Sequence, residues 1–298
     1  MLDLSTSKLG RRDLLRLMGL SLLVAGCGAS EFSALPPPPA NSNSNNPSVL
    51  AVTEVLPDTL VRFDQRGYRY ELQRRICLLT KLDPQGRVVW TTGTSGLSVD
   101  QLDTPSALGI DDNQSVWVVD KGLARVQVYD SDGRFLRNVG EGQLFQPRDI
   151  GITAGRAFVT DAIGHLILVF DLQGQTIHTI SPAGLNEPHG IAIDPQGRLH
   201  VIDSGNHRIL LLSQEGALLN TYGRGGGGSS EFVMPISIAI RLSDGLIAVA
   251  DAAERDIELF NADLTPSRNL PLGGSLQPVD IEFSPTGNLL SLAEEVSV

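Results

Sequence analysis

The sequence predicts an all-β propeller of six blades, and three observations predict it. Five prolines, Pro105, Pro147, Pro188, Pro235 and Pro278, open similar units at spacings of 42, 41, 47 and 43 residues. Shortly after each comes an apolar, small, apolar triplet: Leu108-Gly109-Ile110, Ile150-Gly151-Ile152, Ile191-Ala192-Ile193 and Ile238-Ala239-Ile240, with Ile281-Glu282-Phe283 in the fifth unit. About fifteen residues after each proline a second apolar run ends in an acid, at Asp120, Asp161, Asp203 and Asp251; the fifth ends Leu292-Ala293-Glu294, one residue out of phase. A period of roughly 40 residues with about four short strands is that of propeller blades. Such a blade is apolar on both faces, so it needs a neighbour on each side, and closing the ring satisfies every blade.

The elements follow in order. Each run is short, aliphatic or β-branched and bounded by turn residues, which reads as strand. Asp130-Ser131-Asp132-Gly133 and Asp194-Pro195-Gln196-Gly197 are turns, because Asp bonds the backbone and Gly accepts positive φ. Ahead of Pro105, strands are expected at 49–55, 60–64, 68–73, 76–80 and 88–90. Gly86 and Gly93 are seven apart, as are Gly133 and Gly140, and Gly216 and Gly223, so 76–93 reads as the outer two strands of a blade. The unit from Pro278 stops at Val298, where its third strand should begin. The exposed edge invites aggregation, so the strands at 49–64 are expected to close last to first. Five proline-opened units plus one N-terminal blade make six; five and seven are the alternative counts.

The residues Asp203-Ser204-Gly205-Asn206-His207-Arg208-Ile209 resemble the signature of NHL repeats. The linker from Tyr222 through the glycines 225–228 and Phe232 to Pro235 is similar to that family's connection between blades. The resemblance covers roughly 75 to 298 and implies a propeller. It does not imply an activity, since the superfamily spans enzymes, binding modules and scaffolds.

Composition sets the remaining bounds. The chain has 298 residues, 41% apolar, 19% charged, with 31 glycines, which suits one all-β domain plus extras. The net charge is −11; the first 26 residues carry four basic and two acidic groups, which leaves −13 on the rest. An acidic body argues against nucleic acid, which needs a basic face to replace counterions. Residues 1–26 read as a signal peptide. Arg11 and Arg12, within Gly10-Arg11-Arg12-Asp13-Leu14-Leu15, resemble the twin-arginine export motif. The apolar run at 17–25 is short for a membrane span. Val24-Ala25-Gly26-Cys27 resembles a bacterial lipobox, which implies cleavage before Cys27 and a diacylglycerol on its sulfur. Residues 27–48, rich in Pro, Asn and Ser, cannot bury a core and are expected to be a tether, stiff at the prolines and flexible after them. The propeller is then 49–298, a monomeric extracytoplasmic lipoprotein, periplasmic or on the outer surface, attached to a membrane through its lipid.

Chemistry is expected at one mouth of the central channel, lined by the residues that follow each proline. In the first position Arg148 and His189 carry functional side chains, and in the second Asp149 and Asp280 supply carboxylates. Glu282 stands where the other units have Gly or Ala, so it should reach channel water or a partner, because an unpaired buried carboxylate is costly. This set suits a small polar or anionic ligand or a partner's side chain, with His189 changing charge near pH 6–7. Pro188-His189 is similar to one of the Pro-His pairs of the propeller lyase of peptide amidation, in which three such histidines converge on zinc. Here the pair occurs once, the equivalent positions being Ser106, Arg148, Ile236 and Val279, so that site does not carry over. No catalytic residue, metal or cofactor is expected.

The other candidates read as structural. His207 belongs to the repeat's turn, His200 to a packed strand face, and His165 and His178 lie in or beside outer strands. Gly225 to Gly228 make a linker, with no Gly-Lys-Ser/Thr following. Arg62, Arg66, Arg69, Arg74 and Arg75 with Tyr68 and Tyr70 read as alternating strand surface. Cys77 reads as a small buried apolar residue within a strand. The function expected is a membrane-tethered binding or scaffold propeller that engages an envelope protein, peptide or glycan at the mouth. The alternative is a lyase or hydrolase with an incomplete metal site.

Overall fold

The units opened by Pro105, Pro147, Pro188 and Pro235 each become a four-stranded antiparallel sheet because their apolar runs are joined by tight turns, many of them closed by a side chain. Asp64, Asp83, Asp111, Asp130, Asp171 and Asp194 each accept hydrogen bonds from the backbone N–H groups two and four residues ahead. A glycine then takes the left-handed position, as at Gly133 (φ +80°) and Gly197 (φ +76°), except after Asp111, where Gln114 takes it (φ +63°). Much of the acidic charge is therefore turn chemistry.

The computed structural model describes residues 52–56, 58–227 and 231–295. The expected signal segment with Arg11 and Arg12, Cys27 and the expected tether lie outside the described residues. Five sheets have four strands each, with inner strands Thr59–Phe63, Pro105–Ile110, Pro147–Thr153, Pro188–Ile193 and Pro235–Ile240. A further sheet has three: Leu276–Phe283, Leu289–Glu295 and Val52–Leu56. Thr59–Phe63 lies between Pro105–Ile110 and Leu276–Phe283, so the inner strands form a closed ring. The protein is an all-β propeller with five four-stranded blades. Among the described residues no helix is long and apolar enough to cross a membrane.

The core lies between blades. Trp117, Val119, Val126 and Val128 of the second blade meet Ile150, Val159 and Phe170 of the third. Middle strands such as Val116–Asp120 and Arg125–Tyr129 are buried throughout, whereas the outer strand Val88–Thr92 is exposed or half-buried. Burying one such aliphatic side chain stabilises the fold by about 1.5–3 kcal/mol, so middle strands must be apolar on both faces and outer strands need not be.

The repeat's second acid has a specific task. Asp120, Asp161, Asp203 and Asp251 are wholly buried. Each accepts backbone N–H groups from the connection just ahead of its blade's opening proline: Asp103 and Thr104 donate to Asp120, Phe145 and Gln146 to Asp161, Asn186 to Asp203, and Val233 and Met234 to Asp251. The carboxylate thus pins the incoming chain to the end of the second strand. Asp203→Ala should lower stability by about 1.5–3 kcal/mol, the range for hydrogen bonds to a charged group. Urea denaturation with an unchanged midpoint would show that this pin is dispensable. In the last sheet Ala293 pairs with Pro278 as Asp203 pairs with Pro188, and its neighbour Glu294 forms an ion pair with Arg74 of the first blade instead.

Two expectations need correction. Residues 49–64 do not pair with the last unit as a whole. Only Val52–Leu56 lies beside Leu289–Glu295, in parallel register, and Thr59–Phe63 begins the first blade. The direction has a reason: Leu289–Glu295 runs towards the mouth, where the first inner strand must start, so a parallel neighbour delivers the chain there. Asp58, at φ +57°, makes the turn between them. Cys77 is not within a strand. It takes φ +53° in the turn ahead of Leu78–Leu82, which leaves Ile76 exposed and sinks the thiol inward, where its S–H donates to the Leu102 carbonyl at 3.4 Å.

Candidate functional site at the channel mouth

Counting back two residues from the turn that ends each inner strand gives Arg62, Gly109, Gly151, Ala192, Ala239 and Glu282. Inner strands crowd at this level. A Cβ on Gly109 would stand 2.8 Å from Ile152 Cδ1, and one on Gly151 3.0 Å from Ile193 Cδ1, both on the next blade. The two large residues are neighbours in the ring and have opposite charge. Arg62 Nε lies 3.3 Å from Glu282 Oε2. Its Nη1 and Nη2 donate to Asp280 Oδ2 at 2.6 Å and Oδ1 at 3.2 Å, a bidentate fork. Nη2 also reaches across the small residues of the second blade to within 3.9 Å of Asp149 Oδ1.

One guanidinium therefore serves three carboxylates from two strands. Burial pulls the Arg62 pKa down, but Asp280 and Glu282 outweigh it and hold the group firmly charged. Burial pushes Asp149 up to about 6 and Glu282 up to about 7, against the pull of Arg62. Asp149 Oδ2 also accepts the Ile191 N–H at 2.9 Å, and Ser237 Oγ donates to Asp280 Oδ1 at 2.8 Å, so the network is tied into five inner strands.

This network partitions the channel. A cavity of about 450 Å³ opens at the starts of the inner strands and is lined by Arg148, Asp149, His189 and Asp280, together with Lys121 and Arg74. A second, of about 380 Å³, opens at their far ends, where Arg62 and Glu282 line it. Four of the expected site residues thus meet at one mouth, and Glu282 faces the other cavity through its pair with Arg62.

At the first mouth Arg148 is half-buried. Its Nη2 donates to Gln146 Oε1 at 2.9 Å, while its buried Nε has no partner. Lys121, from the second blade, reaches solvent and makes no ion pair among the described residues. Burial and then Arg148 pull its pKa down. His189 does not titrate near pH 6–7 as expected. Burial, then Arg148 and Lys121, push its pKa down to about 4, so the ring is neutral at physiological pH. Its carbonyl accepts from Thr160 Oγ1 at 2.6 Å.

Arg62, Lys121 and Arg74 are the residues the sequence reading missed. Arg62 is not strand surface: its side chain is only 15% exposed. The first unit has no opening proline, but counting back from Asp64 would have placed Arg62 level with Glu282. Lys121 directly follows the repeat's acid, where the next three units have Ala162, Ser204 and Ala252. The other histidines do not join the site. His200 is buried, its Nδ1 2.9 Å from the Tyr222 hydroxyl and its Nε2 3.2 Å from Asp194 Oδ2. His207 takes φ +55° after the short helix Ser204–Asn206. Among the described residues no three His, Cys, Asp or Glu side chains are grouped so as to hold a metal ion.

Fold and repeat together define a β-propeller that carries an NHL repeat: residues 185–210 match the family model described as NHL repeat. The chain is similar to protein brain tumor of Drosophila melanogaster, 27% identical over 139 residues that make 44% of this chain and 13% of that protein. It is also similar to human NHL repeat-containing protein 3, 24% identical over 208 residues, 61% of this chain and 59% of that one. The chain therefore spans less than two thirds of either relative. A streptogramin B lyase structure superposes with a TM-score of 0.61 at 13% identity, covering 82% of this chain and 93% of that one; at this identity the likeness is one of fold.

Proposed function

We propose that this protein is a membrane-tethered, extracytoplasmic binding propeller that engages a protein partner at the mouth lined by Arg148 and His189. The observation that carries the reading is the open cavity there, onto which polar groups from several blades converge. Propeller mouths gather loops from every blade, and binding residues concentrate on loops held by a rigid scaffold. The repeat occurs in relatives of very unlike length, which supports a module joined to different neighbours rather than one fixed reaction. In this reading the three-stranded sheet acts as the sixth blade, residues 1–26 direct export, and Cys27 carries the anchor with 27–48 as spacer.

The test places a photo-crosslinking residue at Ser106, in the mouth cavity, or at Ser243, in the opposite one. Partner capture from intact membranes is expected at Ser106 and not at Ser243; equal capture at both would sink the reading. Cys27→Ser should release the protein from membranes on a salt wash, since a diacylglycerol supplies two chains where one anchors only marginally. A variant that still sediments wholly with membranes would rule out the lipid anchor.

A further inference from the structure

We propose that the mouth cavity takes one carboxylate of the partner, held between Lys121 and Arg148 with an apolar side chain beside it. The inference rests on the binding reading above and names the chemistry of its ligand. Charge matching points to it. Among the cations lining the cavity, Arg74 and Arg75 are matched by Asp58 and Glu294. Among the acids, Asp149 and Asp280 share Arg62 with Glu282. Lys121 and Arg148 remain, against Asp103, which accepts the Thr104 hydroxyl at 3.0 Å. Lys121 and Arg148 are the lining cations without an ion pair among the described residues, and both face this one cavity. A carboxylate brings them one negative charge, whereas a phosphate dianion brings two into a cavity that Asp103, Asp149 and Asp280 also line.

The geometry fits the same ligand. Lys121 directly follows the second strand of one blade, and Arg148 lies at the start of the inner strand of the next. Arg148 pulls the Lys121 charge state down, and both pull His189 down, as groups sharing one space do. Arg148 spends one donor on Gln146 and leaves its buried Nε free, so the guanidinium keeps the planar fork that suits a carboxylate. Neutral His189 adds an uncharged hydrogen-bonding edge. Ile236 and Val279 form an apolar part of the wall. A volume of about 450 Å³ lies within the range of small-ligand sites and accommodates one residue with its carboxylate.

The test uses the full chain in detergent and calorimetric or NMR titration with N-acetylphenylalanine, its carboxamide, N-acetylaspartic acid amide and inorganic phosphate. The acid is expected to bind at least tenfold more tightly than its carboxamide, and phosphate should not compete at equal concentration. Arg148→Met and Lys121→Met should each weaken the acid about tenfold with an unchanged melting midpoint. Tighter binding of N-acetylaspartic acid amide would assign the carboxylate to a side chain; tighter binding of N-acetylphenylalanine would assign it to a chain terminus. The proposal is overturned if the carboxamide binds as well as the acid, if both variants bind like the natural chain, or if the acid does not bind up to about 50 mM. Capture at Ser106 with no carboxylate preference would leave the binding reading standing and remove this inference alone.

Discussion

Arg62→Met is expected to destabilise the propeller by about 3–5 kcal/mol, the cost of breaking a buried ion pair from one side. For a domain of this size that is a fall in melting midpoint of roughly 6–20 °C. The loss is large because methionine fills the space but leaves Asp149, Asp280 and Glu282 converging on the axis with no cation among them. The pH dependence checks the mechanism. Asp149 and Glu282 sit at about 6 and about 7 when folded, above the ordinary carboxylate value near 4. The folded protein therefore holds their protons more tightly than the unfolded chain does. Their contribution to stability falls as pH rises from about 4 through about 7 and is level beyond. Without Arg62 both carboxyls move further up, so the deficit of Arg62→Met should widen between pH 5 and pH 8. Adding Glu282→Gln to the variant should recover part of the loss at pH 8. A deficit that does not change with pH, and no recovery, would mean that Arg62 acts through packing alone.

The same residues show what a sequence can and cannot say here. The opening prolines, the buried aspartates and the Asp-x-x-Gly turns are local patterns, so four blades could be placed from them almost strand by strand. The first blade lacks the proline, with Asp58 turning the chain in its stead, and for that reason Arg62 was placed on a surface. Arg148, Asp149, His189 and Asp280 were legible as mouth residues because position after the proline is a repeat coordinate. The charge state of His189 was not, because it depends on burial and on Lys121, which comes from another blade. The parallel pairing of Val52–Leu56 with Leu289–Glu295 was also out of reach. Nothing in either segment alone encodes a register between residues more than two hundred positions apart; it follows from the closed ring and from the need to deliver the chain to the mouth.

Removing Val52–Leu56 should be as damaging as removing Arg62, and by a different route. The strand covers the edge of Leu289–Glu295, with Val52 opposite Leu289 and Leu56 opposite Leu292. Its loss exposes unpaired N–H and C=O groups along an otherwise apolar strand, in which Leu289 to Ala293 are all buried, and each backbone hydrogen bond forgone costs about 0.5–1.5 kcal/mol. Leu292 also packs with Leu60, Leu72 and Leu79 of the first blade, so a loosened edge loosens the seam where the ring closes. A free apolar edge recruits further strands, and aggregation or a broad, non-cooperative thermal transition is expected rather than a small shift. Glu54→Pro is the milder companion: proline lacks the N–H that a strand can contribute at that position, next to Leu290, and should lower the midpoint while leaving the chain soluble. The two variants separate the roles of the strand. If the deletion stays monomeric with an unchanged midpoint, the ring is held shut by Arg62 and the Glu294–Arg74 pair alone; if Glu54→Pro is weakened and the deletion aggregates, the strand supplies both the ladder and the cover.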